Sequence, residues 1–169
     1  PGALSFTGEV FANTYPGYGS TYPNFLGGLG LVFEQASSRG HIQESSHHGV
    51  LTFSFAIRNH LRTSLGTVRA AIDKRAEMQE YQRAFFASAL SEGAAYSATG
   101  WVFGDQYDLA ANRAFLDLLT RHRIETYALS EAVSAAGHNF KPGSAWVVPA
   151  SQPMYRLARS IFERTEEFA

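Results

Sequence analysis

Apolar and polar positions change their rhythm repeatedly along the chain. Leu4–Phe11 alternates loosely, which predicts a strand. Asn13–Asn24 is dense in proline, glycine and tyrosine, which predicts an irregular loop. Gly30–Phe33 is a short apolar run, expected as a buried strand that ends at Glu34, and polar Ser37–Gly49 is expected as a second loop. Over Leu51–Leu90 the apolar residues Leu61, Leu65, Val68 and Ile72, then Met78, Tyr81 and Phe85, recur at helical spacing. Arg62, Lys74, Arg75 and Glu80 occupy the other face. Gly66 is the expected bend in that helix, and Ser91–Ala98 the expected linker after it.

From Thr99 the pattern shortens. Trp101–Phe103, Glu125–Leu129 and Ala145–Val148 predict strands. Asp108–His122 predicts an amphipathic helix with Leu109, Phe115, Leu118 and Leu119 inward, and Met154–Phe168 a final helix with Tyr155, Leu157, Ile161 and Phe162 inward. Ser130–Gly143 is polar and expected as a loop. Strand, helix, strand, loop, strand, helix is the order of a small βαβ-type unit, with a parallel, right-handed crossover. The change of pattern places the expected boundary between residues 1–91 and 92–169, in a chain of α/β class.

Composition narrows the function. The chain has 169 residues, 45% apolar and 17% charged, enough for an ordinary globular core. Its net charge is −1 with basic residues scattered, so a nucleic-acid partner is not expected. No apolar run is long enough to span a bilayer. With no cysteine, disulfides, thiolate metal sites and cysteine nucleophiles are excluded. The chain begins at Pro1, and is expected to be a piece of a longer polypeptide.

Glu34 is the first candidate for chemistry. A carboxylate at the end of an apolar strand faces a cleft in many α/β proteins, where partial desolvation suits it to proton transfer. Its other reading is a rim residue paired with Arg39. Tyr15 and Tyr18, in the Tyr-Pro-Gly-Tyr-Gly loop, either offer hydroxyls to a substrate carboxylate or anchor the loop by their rings. His41, Glu44, His47 and His48 share one loop, and their spacing fits a solvated loop better than a zinc site. Neither a Gly-x-Ser-x-Gly elbow nor a complete phosphate loop occurs.

Phe11–Ser20, Phe-Ala-Asn-Thr-Tyr-Pro-Gly-Tyr-Gly-Ser, then Thr21-Tyr22-Pro23 and Gly27–Gly40 with Phe33-Glu34-Gln35-Ala36, resemble the last part of the catalytic domain of zinc carboxypeptidase-like metallopeptidases, bacterial branch. Gly49–Phe53, Ala56–Asn59 and the tail Val147-Val148-Pro149, Gln152-Pro153, Tyr155-Arg156-Leu157 extend the resemblance into both halves. It implies a carboxypeptidase-like α/β domain over 1–91, followed by a small flavodoxin-like or amidotransferase-like unit over 92–169.

The resemblance also implies roles. Glu34 falls on the family's general base, which takes a proton from a zinc-activated water and passes it to the leaving amine. Tyr18, then Tyr15, fall on the substrate-facing tyrosine of the loop before it, and Arg39 on a residue that binds substrate or holds the loop. The family's zinc ligands, a His-x-x-Glu pair and a second His, precede the glutamate. No His precedes Glu34 here, so zinc is expected in the parent protein and not in this piece. The expected partner is a peptide, the expected location secreted or periplasmic, and the isolated chain is expected to self-associate and be inactive alone. The competing reading is a non-catalytic peptide- or partner-binding module from a degenerate relative.

Overall fold

The computed structural model describes residues 15–46 and 49–164. The strand expected over Leu4–Phe11, the loop residues His47 and His48, and residues 165–168 of the final helix lie outside them. The chain is of mixed α/β class and divides into two compact units: residues 1–22 with 29–80, and residues 23–28 with 81–169.

The first unit is built on a hairpin and a helix. Strands β1 (Ile42–Ser45) and β2 (Gly49–Thr52) pair antiparallel, with Ile42 opposite Thr52 and Ser45 opposite Gly49. Part of the segment expected as a polar loop is therefore a hairpin. Helix α1 (Phe53–Asp73) starts at once, because Thr52 caps it: the Thr52 Oγ1 accepts from Phe55 N at 3.2 Å. The long helix predicted over Leu51–Leu90 is two helices, α1 and α2 (Arg75–Ala94). Gly66 passes without interruption, and the break is at Lys74, whose N–H turns back to the carbonyls of Ala70 and Ile72. Arg75 Nη1 also donates to the Ile72 carbonyl, at 3.1 Å.

Gly30–Phe33 forms no strand, and its side chains are not buried: Leu31 is 62% exposed and Phe33 54%. A short apolar run becomes a strand only with a neighbour to take its hydrogen bonds, and no described strand pairs with it. Leu61, Leu65, Val68 and Ile72 do share one face of α1, but all four are exposed.

The second unit owns the described aromatic core. Its sheet has the order β3 (Gly100–Phe103), β7 (Trp146–Pro149), β4 (Tyr127–Ala128), both pairings antiparallel. Strands β3 and β4, joined through α3 (Leu109–Arg121), thus run parallel to each other with β7 inserted between them, a split βαβ. The parallel neighbours expected of a flavodoxin-like unit are absent among the described residues. The reason is the return path. The segment 130–143 is not a plain loop but carries a hairpin, β5 (Val133–Ala135) with β6 (His138–Phe140). Its two turn residues, Ala136 and Gly137, both have positive φ, as a two-residue turn requires.

Asp108 caps α3 through Oδ1, accepting from Ala111 N at 2.8 Å. The buried positions of α3 include Asn112 and Leu119, with Phe115 and Leu116 half-buried, whereas Leu109 and Leu118, expected inward, are exposed. Helix α4 (Tyr155–Phe162) buries Tyr155, Leu157 and Ala158. Tyr155 meets Tyr96 and Trp101, and Trp101 stacks on Phe162 at 5.7 Å. Arg156 ties α4 to α2: its guanidinium pairs with both Glu92 oxygens, donates to the Phe85 carbonyl and lies 4.1 Å from the Phe85 ring centroid. Gly93 faces the Ala150 carbonyl so closely that any Cβ there would overlap it. Gln152 is fully buried and satisfied. Its Oε1 accepts from Glu125 N at 2.7 Å and its Nε2 donates to the Pro149 carbonyl at 2.6 Å, pinning the approach to β4 against the end of β7.

Candidate functional site

Tyr15, Tyr18, Glu34 and Arg39 all lie in the first unit. Their loop is held by its own backbone: Tyr18 N donates to the Tyr15 carbonyl at 3.0 Å, and Thr21 N to the Tyr18 carbonyl at 2.9 Å. The Tyr15 ring lies over Gly17, where an added Cβ would push the ring aside. Tyr18 is 43% exposed, and its phenol has no hydrogen-bond partner among the described residues. Both rings are exposed, Tyr15 at 69%, so neither tyrosine anchors the loop by burial.

The loop meets the segment that leads into Glu34. The Ser20 carbonyl sits against Gly30 so closely that a Cβ at Gly30 would overlap it. This contact, four residues before Glu34 in the chain, brings the tyrosine loop beside the Gly-Leu-Val-Phe-Glu segment. Glu34 is exposed, and forms no hydrogen bond or ion pair among the described residues. The desolvation expected of it is not present, and neither is a salt bridge to Arg39.

Beyond Glu34 the chain turns on serines. Ser38 is buried and its Oγ donates to the Gly40 carbonyl at 2.7 Å, while Arg39 N donates to Ser37 Oγ at 3.1 Å. Arg39 itself is in the left-handed region, with φ 45°. Ser37 and Ser38 thus stabilise this turn, and the Arg39 guanidinium has no partner among the described residues. Gln35 Oε1 accepts from Asn59 Nδ2 at 2.8 Å, fastening the segment to α1. Beside that bond is a small, mainly apolar cleft of about 360 Å³, lined by Gln35, Ser38, Phe53, Ile57 and His60 among others.

The His-x-x-Glu spacing does occur, twice, and both times after Glu34. His41 and Glu44 span the start of β1, where side chains three apart project to opposite faces of the strand. His122 and Glu125 flank the end of α3, with Arg123 between them at φ 57°. Among the described residues no three His, Cys, Asp or Glu side chains converge as a metal site, and no helix is long and apolar enough to cross a membrane.

The comparisons add no relative: no family model, no curated protein and no solved structure matches this chain.

Proposed function

We propose that this chain is part of a zinc carboxypeptidase-like metallopeptidase that hydrolyses peptide bonds at peptide carboxy-termini, with Glu34 as its general base. The observation that carries this reading is the seating of the Tyr15–Tyr22 loop on Gly30, which gathers the motif residues into one unit with Glu34 and Tyr18 both exposed and unpartnered. An exposed carboxylate is free to accept a proton from an attacking water and return it to the leaving amine. Tyr18 would donate its phenol to the substrate's terminal carboxylate.

The described residues do not themselves fit a zinc ion, since no ligand cluster forms among them. In this reading the ligands belong to the parent polypeptide, and residues 92–169 are an appended unit. The large exposed apolar face of α1 favours a second reading, a non-catalytic module that binds a peptide or protein partner.

The test is release of carboxy-terminal amino acids by the parent protein with zinc, beside Glu34→Gln. Loss of activity on the order of a hundredfold or more, with zinc content unchanged, supports the general-base role. Equal activity in the two proteins removes Glu34 from the mechanism. A parent that binds peptide without cleaving it favours the binding module.

A further inference from the structure

The second unit holds a separate cleft of about 570 Å³, where the chain leaves β3 and where it enters β7. One wall is the loop Gly104–Tyr107. The other is the exit of the β5–β6 hairpin, with His138 and Lys141, and Ser144 closes one end. The first wall is fixed to this end by Asn112, which is 5% exposed. Its Oδ1 accepts from Asp105 N at 2.9 Å, and its Nδ2 donates to the carbonyls of Asp105 at 2.7 Å and Ser144 at 3.2 Å. One buried amide therefore ties the 104–107 loop to Ser144, whose N–H in turn donates to the Lys141 carbonyl at 3.3 Å. Gly104, at φ 152°, lies against the Ser144 carbonyl with no room for a Cβ. The cleft is thus preformed, and its size suits a small ligand.

Its charges are mixed. Asp105 and Lys141 both line it, and neither belongs to an ion pair among the described residues. Opposite charges that share a cleft without neutralising each other fit a ligand that carries both signs. A phosphate or other simple anion would meet the Asp105 carboxylate, and a simple cation would meet Lys141. Tyr107, 88% exposed, offers a ring at the lip.

We infer that this cleft binds a small zwitterion of amino-acid type, its ammonium group on Asp105 and its carboxylate on Lys141. No cleft residue lies in the unit of Glu34, and the inference does not rest on the peptidase reading.

Calorimetric titration of the whole chain tests it, with dialanine as the probe beside N-acetyl-dialanine and dialanine amide. Alanine titrated in parallel separates the two sources of this chemistry, a short peptide and a free amino acid, and binding of either supports the site. Blocking either charged end should weaken binding about tenfold or more, the equivalent of one lost charge-assisted contact. Asp105→Asn retains an oxygen to accept from Tyr107 N, a bond of 2.8 Å in the present structure, so the loop should survive. That variant should no longer distinguish dialanine from its acetylated form, and Lys141→Met should no longer distinguish dialanine from its amide. Equal affinity for free and blocked probes in the unaltered chain would overturn the assignment, as would no binding of dialanine or alanine up to about 10 mM, a very weak limit.

Discussion

In the second unit, apolar residues from α3, β7 and α4 meet inside: Leu119, Val148, Tyr155 and Leu157 are all buried, with Tyr96, Trp101 and Phe162 partly buried, although Leu109 and Leu118 stay exposed. In the first unit a regularly spaced set, Phe53, Ile57, Leu61, Leu65, Val68 and Ile72, remains exposed on α1. Periodicity fixes which side chains share a face of a helix. Whether that face is buried depends on a second surface. The candidate chemistry of Glu34 and Tyr18 lies in the unit whose apolar face is uncovered, and the preformed polar cleft in the unit with the aromatic core.

This contrast sets the scale of response to mutation. Gln152→Leu should be the most damaging change, at about 3 kcal/mol, because it leaves the Glu125 N–H and the Pro149 carbonyl without partners. Denaturant unfolding would measure it, and a loss below about 1 kcal/mol would deny Gln152 its role as the pin between β7 and the approach to β4. Gly93→Ala should cost about 2 kcal/mol by forcing α2 away from the Ala150 carbonyl. An unchanged midpoint would mean that α2 and the 150 turn separate freely.

In the first unit, Leu65→Glu should alter stability by no more than about 0.5 kcal/mol, since the side chain is already exposed. Its effect should fall on association instead. The unaltered chain is expected to self-associate through the α1 face, and the variant to shift towards monomer by light scattering. A monomeric unaltered chain at high concentration would refute this.

The smallest effect concerns the end of α4. The Arg159 guanidinium bonds the Glu163 carboxylate at 2.6 Å and 2.9 Å and holds its pKa below the ordinary value. A carboxyl depressed in the folded state stabilises the fold above its unfolded pKa, and that contribution disappears as pH falls through the folded value. For this exposed i,i+4 pair the contribution should be at most about 0.5 kcal/mol. Glu163→Gln should remove that much at neutral pH and nothing in strong acid. A larger loss at low pH would reverse the sign and contradict the assignment.

The second half of the chain was the more legible. Trp101–Phe103, the helix from Asp108 to His122 and the strand ending at Val148 stand out because apolar runs meet clear stops, and Asp108 and His122 do cap α3. Their sheet order was not legible, since the placing of β7 between β3 and β4 is a non-local pairing that no window of sequence contains. Both hairpins were missed for a related reason. Gln43, Glu44, Ser134 and Asn139 are polar, and these strands rest on pairing register, with a positive-φ turn at Ala136-Gly137 in the second hairpin, rather than on apolar alternation.

The candidate site residues stand out in the sequence as a motif, but their surroundings do not. Exposure of Glu34 follows from the absence of a strand at Gly30–Phe33, which the apolar run concealed. The supporting serines were hidden because a turn-forming serine resembles any loop residue. Asn112 could have been found: it is a polar residue three before Phe115, on the stripe that α3 buries, and a buried amide needs partners.

Native-state hydrogen exchange on the Leu65→Glu variant, at dilution, tests the contrast between the two units most directly. Slowest exchange should occur at the β3–β7 ladder and in α4, with α1 opening far more readily because its apolar face contributes little. Protection of α1 equal to that of Val147 and Val148 would contradict the account, since it would place a hidden core beneath the helix that carries the exposed stripe.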